Sequence, residues 1–176
     1  MKKILHRGKY LDFIREKRWE YVRRSNCTGI VVIFPMTRDK KIILVEQRRI
    51  PVGRRVIEFP AGLVNDKPGR PRESVKRAAE RELFEETGYR SKKMKFLMVA
   101  PANAAIAFEK LHFFTAHDIR KEGRGGGDGT ENIQVHEVPA KSAASWLRKK
   151  QKQGRLVDPK VFAGIYFLLH NKRNSN

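Results

Sequence analysis

Carboxylates are the scarce charge in this chain. Nineteen Asp and Glu stand against 39 Lys and Arg in 176 residues, giving a formal net charge of +20 and a pI near 10.5. Such a field attracts anions of every kind, from nucleotides to nucleic acid and acidic membranes, and does not choose among them. A lysine-rich solvated surface accounts for it equally well. Cysteine is nearly missing: Cys27 is alone, so no internal disulfide forms, and beside an apolar run it reads as a small buried residue. Long apolar runs are lacking too. No stretch approaches the roughly 18 apolar residues of a membrane span. The basic start Met1-Lys2-Lys3 is interrupted by His6, Arg7, Gly8 and Lys9 before the apolar core of a signal peptide develops. The expectation is a cytoplasmic protein with no membrane contact. Neither Gly-x-Ser-x-Gly nor a phosphate loop ending Gly-Lys-Ser/Thr occurs. The five histidines, His6, His112, His117, His136 and His170, show no metal-ligand spacing.

What is present is a globular composition, 40% hydrophobic, long enough for one domain with a small appendage. Residues 1–25 alternate charged with apolar or aromatic positions (Leu11, Phe13, Ile14, Trp19, Tyr21, Val22), predicting two or three short strands too small to fold alone. Residues 26–176 then form the main domain. Apolar runs at 28–35 and 41–47, joined by a turn at 36–40, predict a hairpin with buried faces. A strand at 56–59 stops at Pro60-Ala61-Gly62. The pattern next predicts a helix from Pro71 to Thr87, closed by Gly88. Strands follow at 95–100 and 111–116, then a mobile loop with five glycines at 123–129, and a strand at 133–138. Pro139 opens a helix to Gln153, and Asp158-Pro159 opens the last one, with Val161, Phe162, Ile165, Leu168 and Leu169 toward the core. Without a regular alternation of strand and helix, this favours an α/β fold with a mixed sheet and helices on both faces.

The helix ending at Thr87 concentrates charge. At 3.6 residues per turn, Glu86 lies about 40° to one side of Glu82 and Glu85 about 60° to the other, an arc of roughly 100°. Carboxylates four apart repel by a few tenths of a kcal/mol, and the negative end of the helix dipole adds to that. A divalent cation converts this penalty into attraction, since hard cations take oxygen ligands. Ala78 and Ala79, one turn earlier, leave room for close approach of a sheet or loop. An exposed acidic face balanced by Arg77 and Arg81 is the plainer alternative.

Context decides between them. Pro60-Ala61-Gly62, then Glu73, then after seven residues Arg81-Glu82-Leu83-Phe84-Glu85-Glu86-Thr87-Gly88-Tyr89 resembles the Nudix box. The family pattern has five residues between its glycine and first glutamate. Here ten separate Gly62 from Glu73, an insertion in the loop that leaves the helix spacing intact. Trp19-Glu20-Tyr21-Val22-Arg23-Arg24, Val45-Glu46-Gln47-Arg48-Arg49, Glu58-Phe59-Pro60-Ala61-Gly62-Leu63 and Glu131-Asn132-Ile133-Gln134-Val135 are similar to the ADP-ribose and nucleotide-sugar hydrolase branch.

The resemblance implies an α/β/α sandwich, and Mg²⁺, with Mn²⁺ as a substitute, held by the Ala61 carbonyl and by Glu82 and Glu86. It places Glu85 in the same catalytic cluster and Glu131, before the last strand, as general base or further ligand, with Asp128 as its alternate. Arg49 matches a phosphate-contacting arginine, and Glu58 is taken with it as substrate-binding. Asp158-Pro159-Lys160 resembles an Asp-x-Lys feature of nucleotide-sugar hydrolases, although Asp is also a favoured N-cap and Pro a favoured first helical residue. The implied reaction is hydrolysis of a nucleoside diphosphate sugar to a nucleoside monophosphate and a sugar 1-phosphate, with ADP-ribose hydrolysis next. A homodimer assembled through residues 1–25 is implied as well. A nucleic-acid-binding protein on a vestigial fold of this kind has only the +20 charge in its favour, so no specific nucleic-acid partner is expected.

Overall fold

The computed structural model describes residues 1–66, 72–127 and 132–170. Strands β1 (Lys2–Arg7), β2 (Leu11–Glu16) and β3 (Trp19–Arg24) form a separate antiparallel sheet of three. Ile14 is fully buried beneath it, and buried Asp12 pairs with Arg23 at 2.6 Å. Strand β3 is fastened to the main domain by backbone bonds between Val22 and both Ile106 and Phe108. The Arg24 N–H adds a 2.6 Å bond to the Glu109 carboxylate.

The main sheet has nine strands: β4 (Gly29–Thr37), β5 (Lys41–Arg49), β6 (Arg54–Glu58), β7 (Ala61–Val64), β8 (Tyr89–Arg90), β9 (Lys93–Pro101), β10 (Lys110–Lys121), β11 (Gln134–Pro139) and β12 (Leu156–Val157). The path runs β12-β6-β5-β4-β10-β8, with β11 on β5, β7 on β4 and β9 on β10. Strands β4 and β10 run parallel, as do β6 and β12, and the other pairs are antiparallel. Helices α1 (Val75–Thr87), α2 (Ala143–Lys152) and α3 (Pro159–His170) complete the domain. Strand β4 shows why both faces are covered. Val31 and Ile33 point into a core shared with Ala78, Ala79 and Leu83 of α1. Val32 and Phe34, one residue out of phase, point into a second core with Leu147 of α2 and Val161 and Leu168 of α3. A strand buried on both sides must read as a continuous apolar run. The expected α/β sandwich with a mixed sheet is what the chain forms. No helix among the described residues is long and apolar enough to cross a membrane.

Three expectations need correction. The runs forming β4 and β5 share only the pair Met36↔Ile42 beside their turn. Beyond it they diverge, because β7 and β10 take the edges of β4 while β6 and β11 take those of β5. Helix α1 starts at Val75 rather than Pro71, which lies outside the described residues. The Ser74 hydroxyl accepts from the Arg77 N–H at 3.2 Å, the N-cap arrangement that satisfies a free helix donor. On α3, Val161, Gly164 and Leu168 are the buried positions, spaced by three and four as one helix face requires. Phe162 and Leu169, expected inside, are 52% and 43% exposed.

The two faces of α3 separate in a stability measurement. Leu168→Ala removes buried side-chain volume and costs about 2–5 kcal/mol, whereas Phe162→Ala stays within about 0.5 kcal/mol. Urea titration of the two variants checks this, and equal losses would contradict the assigned face.

Candidate active site

Strand β7 and the second half of α1 meet edge to side at Gly62. A Cβ built on Gly62 would lie 2.0 Å from the Glu82 carboxyl carbon, so only glycine lets the strand pass this close to the carboxylate. The neighbouring Ala61 N–H donates to a Glu86 carboxylate oxygen at 3.2 Å. Glu86 is 3% exposed, and a buried carboxylate needs such a donor. The third carboxylate, Glu85, is the most open of the three. Arg81 joins them: one guanidinium nitrogen donates to Glu82 at 2.6 Å and Glu85 at 3.1 Å, the other to Glu73 at 2.7 Å and the Leu63 carbonyl at 3.1 Å. The balance expected from Arg77 and Arg81 thus falls on Arg81. Glu73, at the far end of the inserted loop, holds it there.

Ala61, Gly62, Arg81 and the three carboxylates line a pocket of about 360 Å³, together with Arg24, Arg49 and Asp66. Burial pushes the Glu82 carboxyl up to about 7, with Glu85 and Asp66 adding to the rise and Arg81 opposing it. Arg49 reaches the pocket while its Nε bonds Glu58 at 2.7 Å, so Glu58 steadies the arginine and is not itself part of the wall. Asp158 and Lys160 also lie outside the pocket lining. The Asp158 N–H bonds the Ile57 carbonyl, its carboxylate caps α3 through the Lys160 N–H at 2.7 Å, and it pairs with the Lys160 ammonium at 2.6 Å. The capping role and the close lysine therefore coexist, one residue along the sheet from Glu58. Glu131 and its alternate Asp128 fall outside the described residues.

Two pocket residues had not been singled out. Arg24 closes the motif Trp19 to Arg24, and its position over the pocket follows from the β3 contacts rather than from any local signal. Asp66 belongs to the loop insertion, where no spacing rule applied. The glycine-rich loop also differs from expectation. Its described part is tied to the end of α1: Gly126 and Gly127 N–H groups donate to the Glu86 and Glu85 carbonyls at 2.8 and 3.0 Å, and Glu122 and Gly123 donate to Gly88. Gly88 and Gly125 both have positive φ, and a Cβ on Gly125 would meet the Thr87 carbonyl carbon at 2.4 Å. Close approach accounts for Gly88, Gly123 and Gly125, and positive φ for Gly126 and Gly127. The bonds satisfy helix carbonyls that would otherwise face the carboxylates unpaired.

Among the described residues no three His, Cys, Asp or Glu side chains gather into a ready-made metal cage; Arg81 holds two of the carboxylates and Ala61 the third. The donors nevertheless fit a hard divalent cation, being all oxygen and gathered where Gly62 removes the steric barrier.

The chain is similar to known proteins over most of its length. The NUDIX domain model matches residues 28–159, three quarters of the chain. The chain belongs to the Nudix family. Relatives include a methanol dehydrogenase activator of Bacillus methanolicus, 31% identical over 80% of this chain and 71% of that one. An ADP-ribose pyrophosphatase of Bacillus subtilis (strain 168) is 30% identical over the same shares. A GDP-mannose pyrophosphatase of Escherichia coli (strain K12) is 28% identical over 89% and 80%. A solved structure described as an ADP compounds hydrolase superposes with a TM-score of 0.69 over 96% of this chain and 89% of that one, at 21% identity, which speaks to the fold. The Nudix helix is α1.

The raised Glu82 pKa sets a pH dependence. A carboxyl whose folded pKa exceeds its unfolded value stabilises the fold below about pH 4.5, and that contribution is lost as pH rises through about 7. A divalent cation needs the carboxylate, so its affinity rises between about pH 5 and 7 with proton release. Calorimetric Mg²⁺ titrations in two buffers check this, and an affinity flat over that range contradicts it. Glu82→Gln is expected to abolish the pH dependence and to lower turnover by about a hundredfold or more.

Proposed function

We propose that this Nudix hydrolase cleaves the pyrophosphate of nucleoside diphosphate sugars, giving a nucleoside monophosphate and a sugar 1-phosphate. The observation that carries the reading is the pocket itself: Glu82, Glu85 and Glu86 on one wall and two arginines, Arg24 and Arg49, on the rim. A pyrophosphate diester brings two negative charges, which the arginines attract, while the carboxylates would repel it without a cation between. Mg²⁺, or Mn²⁺ in its place, would be held by the Ala61 carbonyl and by Glu82 and Glu86, and supplies charge neutralisation and a more acidic bound water. Arg49, oriented by Glu58, binds a phosphate oxygen. Glu131 takes the proton of the attacking water as general base, and Glu85 adds its charge to the carboxylate wall. The electrons of the broken P–O bond leave with the departing phosphate.

The relatives' names divide between ADP-ribose and a GDP-sugar, and ADP-ribose is the second reading, favoured by that first relative. The preference for nucleotide sugars rests on Asp158 and Lys160. On this reading a lysine at the start of α3, near the positive helix end, contacts a phosphate or sugar oxygen of a substrate longer than the pocket. Its 2.6 Å tie to Asp158 and its 37% exposed side chain support a poised, orientable ammonium. We also take residues 1–25 as a homodimer contact: Leu11 and Phe13 point outward from the small sheet at 41% and 38% exposure, apolar area that a second copy would cover. A cytoplasmic location is part of the same reading.

A panel of nucleotide sugars and ADP-ribose with Mg²⁺, read as phosphate released after phosphatase coupling, tests the substrate assignment. Nucleotide sugars are expected to lead. Lys160→Ala lowers their kcat/KM by about tenfold, the worth of one charge-assisted hydrogen bond, and spares ADP-ribose. ADP-ribose as the best substrate, or an equal effect on both, overturns the preference. In the same assay Glu131→Gln lowers kcat more than it raises KM; a mild Glu131→Gln beside a damaging Asp128→Asn moves the base to Asp128.

A further inference from the structure

Beside the carboxylate pocket, and sharing Arg24 with it, lies a second cavity of about 460 Å³, a volume in the range of small-ligand sites. We propose that this cavity receives the nucleobase of the substrate and that the Glu109 carboxylate on its wall selects guanine, which makes the preferred substrate a guanosine diphosphate sugar. The inference rests on the nucleotide-sugar reading above. Residues from 23–29 and 108–112 line the cavity, between the end of β3, the start of β4 and the start of β10. Two observations place it against the first pocket. Asn65, next to Asp66 of that pocket, donates to the Thr28 hydroxyl at 2.8 Å, and Thr28 lines the second cavity. The Cys27 thiol on the same wall is pushed up by burial, with Glu109 of one cavity and Asp66 of the other adding to the rise and Arg24 opposing it. A diphosphate lying against Arg24 and Arg49 therefore has a place for its nucleoside past Arg24.

The walls suit a base. Phe108 lines the cavity and is 56% exposed, an aromatic surface on which a base stacks. Its N–H donates to the Val22 carbonyl at 3.0 Å, and the Lys2 ammonium lies 5.4 Å from the centre of its ring, so the residue is held from both ends. Gly29 keeps the space open, since a Cβ there would come within 3.3 Å of the His112 ring nitrogen Nε2. Glu109 supplies the hydrogen-bonding edge. Its Oε1 accepts the Arg24 N–H at 2.6 Å, which fixes the half-buried carboxylate. Among the described residues no other donor bonds that carboxylate. An ionised carboxylate has about four lone-pair sites on its two oxygens, so most of its accepting capacity is left for a ligand.

The chemistry picks one base. An ionised carboxylate accepts and cannot donate. Guanine presents two neighbouring donors, N1–H and the 2-amino group, at a spacing that two carboxylate oxygens match. Adenine sets its 6-amino group beside the N1 lone pair, and cytosine its 4-amino group beside N3. Uracil flanks its single N–H with two carbonyls. Each of these three brings a lone pair against the carboxylate. A site built to hydrogen-bond particular donors rejects an analogue that lacks them, because its own polar groups are then left unpaired. The cations around the cavity do not change this choice. Arg23 is engaged by Asp12 at 2.6 Å, Lys110 is exposed, and Arg24 stands where the two cavities meet, on the phosphate side of the nucleoside.

Calorimetric titration of the full chain with GMP, IMP and AMP tests the subsite, since the three share ribose and phosphate and differ only in the base. GMP is expected to bind about tenfold or more tighter than AMP, and IMP, which lacks the 2-amino group, to fall between them. Glu109→Gln keeps an oxygen to accept the Arg24 N–H but sets an amide donor beside it, and is expected to bring GMP and AMP within about threefold of each other. Phe108→Ala is expected to weaken all three by about fivefold or more without changing their order. Both variants keep wild-type melting curves and Mg²⁺ affinity. Equal affinity of the wild type for GMP and AMP, or a GMP preference that survives Glu109→Gln, overturns the assignment. The hydrolysis panel separates this from the reaction itself. Cleavage of nucleotide sugars with no regard to the base removes the guanine subsite and keeps the hydrolase reading, whereas a Glu109-dependent preference for GMP without nucleotide-sugar cleavage keeps the subsite and removes that reading.

Discussion

Like-charge repulsion among Glu82, Glu85 and Glu86 at the negative end of α1 is the constraint around which the active-site half of the molecule is built. Left alone, three carboxylates on one arc of a helix would push apart and weaken its last turns. The chain offsets this with donors that each depend on a different long-range contact. Arg81 is pinned by Glu73 and the Leu63 carbonyl before it reaches Glu82 and Glu85. Ala61 lends its N–H to Glu86 only because β7 is paired to β4. Gly126 and Gly127 occupy the terminal carbonyls. The result is a group of three carboxylates held together by Arg81 and the Ala61 N–H.

The same chemistry is inverted around Glu46, where one buried carboxylate gathers cations. Both clusters are ion pairs held where water is scarce, and removing one member of such a set leaves an uncompensated buried charge, which is the costly direction. The two clusters lie on opposite faces of β5. Glu46 faces α2, and Arg49, an odd number of residues away, faces the pocket. The central strand thus separates the carboxylate pocket from the face where Glu46 gathers Arg55, Lys150 and Arg155.

Much of the fold was legible because its signals are local and periodic. The carboxylates of α1 share a face because 3.6 residues complete a turn, and Gly88 ends the helix because it adopts φ +75° at little cost. Phe162 and Leu169 read as core because a mostly apolar helix gives little contrast between its faces. The β4 and β5 runs read as a full hairpin because a short turn joins them. Sequence proximity does not report that other strands compete for the same backbone edges. The glycine-rich segment 123–129 reads as a mobile loop because composition does not record that Gly123 and Gly125 approach the end of α1 closely.

By itself the sequence determined the identity and spacing of the carboxylates, the charge excess, the strand and helix periods, and with them the family. These are properties of neighbours along the chain, so they survive without coordinates. Only the tertiary structure decided that Arg24 and Asp66 join the pocket, that Asp158 and Lys160 stay outside its lining, that Glu58 steadies Arg49, and that Glu46 draws together hydrogen-bond donors from β6, β11 and α2. Each of those contacts joins residues brought together by strand pairing and helix docking, and charge attracts over distances that the linear order of residues does not record.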